Sequence, residues 1–254
     1  MFKTLLLNKS LLLCSALALS FGSMQFERLI EDPVAFAAAH PDRPDADKAR
    51  DADRHPGKVL NFFGIKPGMH VADFMAGDGY YTEIVSRAVG EGGMVYCQNS
   101  PTTLKHYGEK LTKRLEGRGF ENVARVDSEL TKTDLPKGLD AALLIRFYHD
   151  FGWMNLDRAA FNKMVFEQLK PGGIFGVLDH VAADGAGMSV GQTLHRIDPN
   201  LVRYEIEAAG FVLEAESFLL RNSADTLDWN IFSDNGARND KTDRFIYLFR
   251  KPLE

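Results

Sequence analysis

Past Pro56 the chain alternates between two spacings of apolar residues. Short apolar runs recur at His70–Phe74, Met94–Gln98, Asn122–Val126, Ala141–Phe147 and Ile174–Leu178. Their length and bounding glycines predict buried strands. The Ala141–Phe147 run is continuous rather than alternating, as in a strand covered on both faces. Helical spacing fills the intervals. Lys58–Phe63 predicts a short helix stopped by Gly64, and Tyr80–Val89 a longer one stopped by Gly90. Ser100-Pro101 opens another, with an N-cap residue followed by proline in the first turn. Leu104, Tyr107, Leu111 and Leu115 give that helix one apolar face. Phe161, Met164, Val165 and Leu169 mark a fourth helix, ended by Pro171-Gly172-Gly173. Asp198-Pro199 starts a fifth, which Gly210 stops, and Phe211–Leu219 and Phe245–Phe249 predict two closing strands. The order predicts an α/β fold with a mostly parallel sheet and helices on both faces. Ligands of such sheets bind at the carboxyl ends of the strands, so residues just after each strand are the functional candidates.

The first 23 residues change the organisation. Lys3 and Lys9, a leucine-rich stretch and the small-x-small site Ala16-Leu17-Ala18 predict a secretory signal peptide. The mature protein is then periplasmic or secreted, with no stable membrane insertion. An uncleaved anchor and a cytoplasmic protein starting at Met24 are the alternatives. Residues 24–54, with Pro33, Pro41 and Pro44, predict an exposed linker. The domain proper is expected over residues 55–254.

Composition narrows the function. The chain has 254 residues, 45% hydrophobic, enough for one sizeable core. A net charge of -5 without a long Lys/Arg block argues against a nucleic-acid partner and leaves a small molecule. Removal of the leader takes Cys14 with it, leaving Cys97 without an internal disulfide partner. No Cys/His cluster shows metal-ligand spacing, so no metal is expected.

After the first predicted strand comes Asp73-Phe74-Met75-Ala76-Gly77-Asp78-Gly79-Tyr80. A strand running into glycines and then a helix bares backbone N–H groups to a ligand. This stretch resembles the first motif of the class I S-adenosylmethionine-dependent methyltransferases. Lys66-Pro67-Gly68, Leu169-Lys170-Pro171-Gly172-Gly173 and the closing strands fit the same family, over roughly Val59–Pro252. Arg50-Asp51-Ala52-Asp53-Arg54, Gly79-Tyr80-Tyr81-Thr82-Glu83, Leu178-Asp179-His180 and Thr193-Leu194-His195-Arg196-Ile197-Asp198 are similar to a subgroup of exported bacterial predicted methyltransferases. The resemblance implies a Rossmann-like seven-stranded sheet with an antiparallel C-terminal edge, and S-adenosylmethionine as cofactor. It implies that Asp73, Ala76, Gly77 and Gly79 line the methionine end, that Gln98 and Asn99 meet the ribose, that Asp127 and Ser128 lie near the adenine, and that Arg146 borders the cofactor.

Two residues depart from the motif. Met75 stands where its first glycine is expected, and Gln98 where an acidic ribose ligand is usual. An amide can pair with both hydroxyls but gives no charge-assisted bond. These departures keep open a non-catalytic ligand-binding protein on a diverged methyltransferase fold. A nicotinamide enzyme would need a third glycine at Thr82.

Methyl transfer is an in-line displacement whose main demand is alignment, with a base needed only for an acceptor that carries a proton. His149, after the fourth strand, is the first candidate for a base or positioning group, and His180, after the fifth, the second. Tyr80, Tyr81, Asp150, His195, Arg196 and Trp229 are candidates for the acceptor pocket, and Arg54 for a lid. Each has a plainer alternative in core packing, capping or surface pairing.

Overall fold

The computed structural model describes residues 32–236 and 239–254. The expected signal peptide lies outside the described residues. Among them, no helix is long and apolar enough to cross a membrane.

Seven strands form one sheet in the order β3-β2-β1-β4-β5-β7-β6, comprising β1 (His70–Phe74), β2 (Met94–Asn99), β3 (Val123–Asp127), β4 (Leu139–Ile145), β5 (Leu169–His180), β6 (Val212–Ser217) and β7 (Arg244–Arg250). The first five are parallel, and β7 runs antiparallel between β5 and β6. This is the expected Rossmann-like sheet with its antiparallel edge.

Alternation along the strands divides the core into two layers. In β4, Ala142 and Leu144 face one cluster with Phe74, Phe161, Phe175 and Phe211, while Ala141 and Leu143 face another with Val71, Ile84 and Val85. Both faces are buried, hence the continuous apolar run in the sequence. Among the described residues the helices run α1 (Pro33–Ala38), α2 (Asp45–Lys48), α3 (Asp51–Arg54), α4 (Pro56–Phe62), α5 (Tyr80–Val89), α6 (Pro101–Leu115) and α7 (Arg158–Gln168). Two more follow, α8 (Gly191–Leu194) and α9 (Pro199–Ala208). Ser100 and Asp198 cap α6 and α9 as expected, each side chain accepting a backbone N–H of the first turn.

The segment 32–54 differs from the expected exposed linker. It folds into α1, α2 and α3 and packs on the domain. Val34 and Ala37 are buried against the α5 layer. Arg43, fully buried, pairs with Asp51, and Asp47 receives Arg114 Nη1 at 2.6 Å. The prolines and charges that suggested a linker instead cap short helices and find partners across the domain surface. The folded unit therefore begins by Asp32 rather than at residue 55. Cys97, on β2, is a buried free thiol.

Candidate active site

The site forms where β1 and β4 end. The bend after β1 is tied down from below by the end of β2. Met75 adopts a left-handed backbone, φ 53°, and its N–H donates to Gln98 Oε1 at 3.2 Å. Gln98 Nε2 donates to the Ser128 carbonyl at 2.8 Å. The Asn99 side chain accepts from Gly77 N at 2.8 Å and donates to Gly77 O at 3.0 Å. Gly79, φ 83°, has no room for a Cβ, which would lie 2.9 Å from Leu111 Cδ1. Gly77, φ 63°, has open space instead. One glycine serves helix packing and the other leaves a bare backbone edge.

Gln98 and Asn99 therefore do not stand as ribose ligands. Both are fully buried, and their amides are consumed by the loop itself. Asp127 pairs with Arg125, and the Ser128 hydroxyl meets that of Thr133. None of these four lines the cleft. Asp73 is buried beneath the loop, where its Oδ2 accepts from the Thr82 hydroxyl at 2.6 Å. Burial raises its pKa to about 6, against the bond from Thr82.

Above the loop opens a cleft of about 770 Å³, within the range of small-molecule sites. Met75, Ala76, Gly77 and Asp78 form one wall; Thr102, Thr103, His106 and Tyr107 of α6 form the next. Arg50, Arg54 and Arg146 form a basic wall around Asp240, whose carboxylate accepts from Arg50 Nε and Arg54 Nε at 2.9 Å each and from Arg146 Nη1 at 2.8 Å. The strap over residues 32–54 thus supplies two of these three cations, and Arg54 lines the cleft with its guanidinium 4.6 Å from the Tyr80 ring. Arg146 is held left-handed at φ 63°, which ends β4 and swings its side chain onto His180. Tyr80 donates to Asp51 Oδ1 at 2.5 Å, and Tyr81 lines the cleft with its phenol pushed up to about 12 by burial.

The fourth wall carries the histidines. His149 Nδ1 lies 2.7 Å from Asp179 Oδ1, its backbone N–H donates to Asp179 Oδ2, and its Nε2 lies 3.2 Å from Asp150 Oδ1. Burial opposes the imidazolium, but Asp179 and Asp150 outweigh it and raise the pKa to about 9. At neutral pH both ring nitrogens therefore carry a proton and face Asp179 and Asp150, so the ring is not a base. His180 is the opposite case. Its Nε2 accepts from Arg146 Nε at 3.1 Å, and its Nδ1 meets the Thr242 hydroxyl at 2.6 Å. Burial first, then Arg146, pushes its pKa well down. Both its nitrogens are occupied, and it holds Arg146 in place rather than moving a proton.

His195 Nδ1 approaches Asp150 Oδ1 at 2.9 Å, so Asp150, His149 and His195 gather as one group. Arg196 is a correction. It is fully buried, its two Nη atoms lie on Asp225, its Nε donates to the Trp229 carbonyl, and its guanidinium sits 4.6 Å from the Trp229 ring. Arg196 and Trp229 hold the 222–231 loop and do not line the cleft. Sequence reasoning missed Arg50, Asp240, Trp153 and Phe232. Their only signal was an ordinary charge or aromatic in a loop, and the fold alone brings them to the cleft. It also missed the grouping of His149, Asp150 and His195 as metal-capable donors, because His195 lies 45 residues beyond Asp150.

No protein-family model and no curated relative matches the chain. Solved structures do. A methyltransferase dependent on S-adenosylmethionine from Aquifex aeolicus aligns with a TM-score of 0.56 at 21% identity, over 77% of this chain and 88% of that one. The cyclase SpnF aligns at 0.56 and 17% identity, over 80% and 82%. Phosphoethanolamine N-methyltransferase 2 of Haemonchus contortus, solved with S-adenosyl-L-methionine, aligns at 0.59 and 13%, over 78% and 52%. At these identities the likeness concerns architecture. The chain has the Rossmann-like fold of the class I S-adenosylmethionine-dependent methyltransferases.

Proposed function

We propose that this protein is an S-adenosylmethionine-dependent methyltransferase acting on a small-molecule acceptor. The observation that carries the reading is the cleft itself. It joins a bare backbone edge at Ala76–Asp78 to a three-arginine wall at the carboxyl ends of β1 and β4. The fit is good at the methionine end and altered at the ribose end. The arginine wall, neutralised in part by Asp240, suits the carboxylate of an amino acid. The amides of Gln98 and Asn99 are spent on the loop, so the adenosyl group meets the α6 wall of Thr103, His106 and Tyr107 instead.

Bound there, the cofactor supplies an electrophilic methyl group. The chain's part is alignment and exclusion of water. Phe147, Trp153, Met154 and Phe232 make the acceptor half apolar. His149, its two ring nitrogens turned to Asp179 and Asp150, holds Asp150 at the wall of the acceptor half. His180 fixes Arg146. An acceptor already free of its proton needs no base from this wall. Export belongs to the same reading, on the leader pattern of residues 1–23, and a start at Met24 would place the protein in the cytoplasm. N-terminal sequencing of the mature protein separates the two.

A second reading, a non-catalytic binding protein on this fold, draws on the consumed amides of Gln98 and Asn99. Calorimetry with S-adenosylmethionine and S-adenosylhomocysteine tests both. The methyltransferase reading expects saturable binding, and Arg50→Ala, which leaves Asp240 two other partners, should weaken it about tenfold, ~1.4 kcal/mol. No heat and no thermal shift with either compound removes the reading. Binding without methyl transfer across an acceptor panel supports the second.

A further inference from the structure

We infer that His149, Asp150 and His195 form a binding site for one first-row divalent transition-metal ion, open toward the cleft. The inference goes beyond methyl transfer and does not require the cofactor to bind.

The donors converge. His149 Nε2 lies 3.2 Å from Asp150 Oδ1, and His195 Nδ1 lies 2.9 Å from the same oxygen. One donor atom from each of the three residues falls within 4.8 Å of the others. Ligands roughly 2.0–2.1 Å from one ion are separated by about 3.0 Å in octahedral and about 3.4 Å in tetrahedral geometry. The two separations to Asp150 Oδ1 fall near that spacing, and His149 Nε2 and His195 Nδ1 lie within 4.8 Å of each other, so a small turn of either ring closes the set on one ion.

The surroundings are those of a metal site rather than a surface ion pair. His149 is 2% exposed and turns its other nitrogen, Nδ1, to Asp179, itself fully buried. A carboxylate behind a ligating imidazole fixes the ring and its tautomer and strengthens the ligand. Asp179 is fixed in turn, taking the backbone N–H groups of both His149 and His180. Trp153 Nε1 orients Asp150 at 2.7 Å. The chain also invests in bringing His195 here. Gly191, at the start of α8, passes so close to the His149 carbonyl that a Cβ would lie 2.6 Å from it. His195 then ends α8 in the left-handed conformation, φ 54°. A non-glycine residue adopts that backbone only at a conformational cost.

Two imidazoles and one carboxylate suit Zn²⁺, Fe²⁺, Co²⁺ or Mn²⁺ better than Mg²⁺ or Ca²⁺, which prefer all-oxygen sets. Three protein ligands leave coordination positions free, the arrangement of catalytic rather than structural sites. His149 and Asp150 line the cleft, so those positions face it. An oxygen or nitrogen donor of a small molecule held there could complete the coordination.

The test uses the full chain, stripped with chelator and titrated with Zn²⁺ by calorimetry and with Co²⁺ by visible absorption, both without cofactor. The expected result is one ion per chain, with cobalt bands typical of mixed N/O coordination. Asp179→Asn should weaken binding roughly 10–100-fold through the ligand behind it. His195→Ala should weaken it at least as much. His195→Gln keeps size and a hydrogen bond to Asp150, and guards against loss of fold as the cause; it should weaken binding too. His70→Ala, an exposed histidine at the start of β1, should change nothing. Absence of stoichiometric binding, or equal affinity in both His195 variants and the parent, overturns the site. Cofactor calorimetry on the stripped protein is a separate experiment, so failure of the metal site and failure of the methyltransferase reading are told apart.

Discussion

Gln98→Glu sets the family resemblance directly against the geometry. The resemblance expects an acidic residue at this place to grip ribose hydroxyls, so glutamate should improve cofactor binding. The structure expects damage. Gln98 is fully buried, accepts from Met75 N through Oε1 and donates to the Ser128 carbonyl through Nε2. A carboxylate keeps the first bond and loses the second, worth about 1 kcal/mol. It also sets a buried charge against a carbonyl left without its donor, a further ~1–3 kcal/mol. The expected loss at pH 7 is about 3 kcal/mol, or roughly 6–12 °C in thermal midpoint for a chain of this size. The sign with pH follows from burial. The new carboxyl has a folded pKa above its unfolded value near 4.3, so the neutral form persists in the native state and can donate to Ser128. The penalty is therefore small below about pH 4 and grows as pH rises toward neutrality. Urea unfolding of both proteins at pH 4.5 and pH 7 measures it. An unchanged midpoint at pH 7 together with tighter binding of S-adenosylhomocysteine would refute the placement of Gln98 under the loop.

Two further substitutions follow the same logic. Asp73 titrates near pH 6 in the folded protein against 3.8 ordinarily, so its contribution is most favourable below about pH 4 and is lost as pH rises through 6. Asp73→Asn keeps a partner for Thr82 and should remove up to ~3 kcal/mol of that slope, leaving the variant no less stable than the parent at pH 7; a variant that stays less stable than the parent across this range, by urea titration, contradicts it. Arg196→Ala takes the guanidinium from the buried Asp225 carboxylate, which keeps only the backbone N–H groups of Leu227 and Asp243, and should cost about 3 kcal/mol. Calorimetric affinity for the cofactor, measured where the variant is still folded, should hold; selective loss of ligand binding at normal stability would return Arg196 to the acceptor pocket.

Much of the architecture was legible because it depends on local signals. Strand runs and glycine stops gave the sheet, and Ser100 and Asp198 announced two helix starts. The strap over residues 32–54 was not legible, because its meaning lies in partners far along the chain. Asp47 waits for Arg114, and Arg50 and Arg54 wait for Asp240. The site was legible in part for the same reason. Residues following strands, such as His149, Asp150 and Arg146, were found by topology. Gln98 was read correctly as an anomaly and wrongly as a ligand, since sequence does not say which way an amide points. Arg196 was a candidate for the acceptor pocket, but its neighbourhood, Asp225 and Trp229, is set by a loop some thirty residues away. The left-handed backbone of Met75 and Arg146, which both line the cleft, and of His195, which meets Asp150, is invisible in the sequence.

A crystal structure of the protein soaked with S-adenosylhomocysteine tests the central claim most directly. Density for the ligand should run from the Arg50–Arg146 wall, over the backbone of Ala76 and Gly77, to the α6 face at Thr103 and Tyr107, with Gln98 unmoved beneath. Density elsewhere, or an empty cleft at saturating ligand, would contradict the assignment.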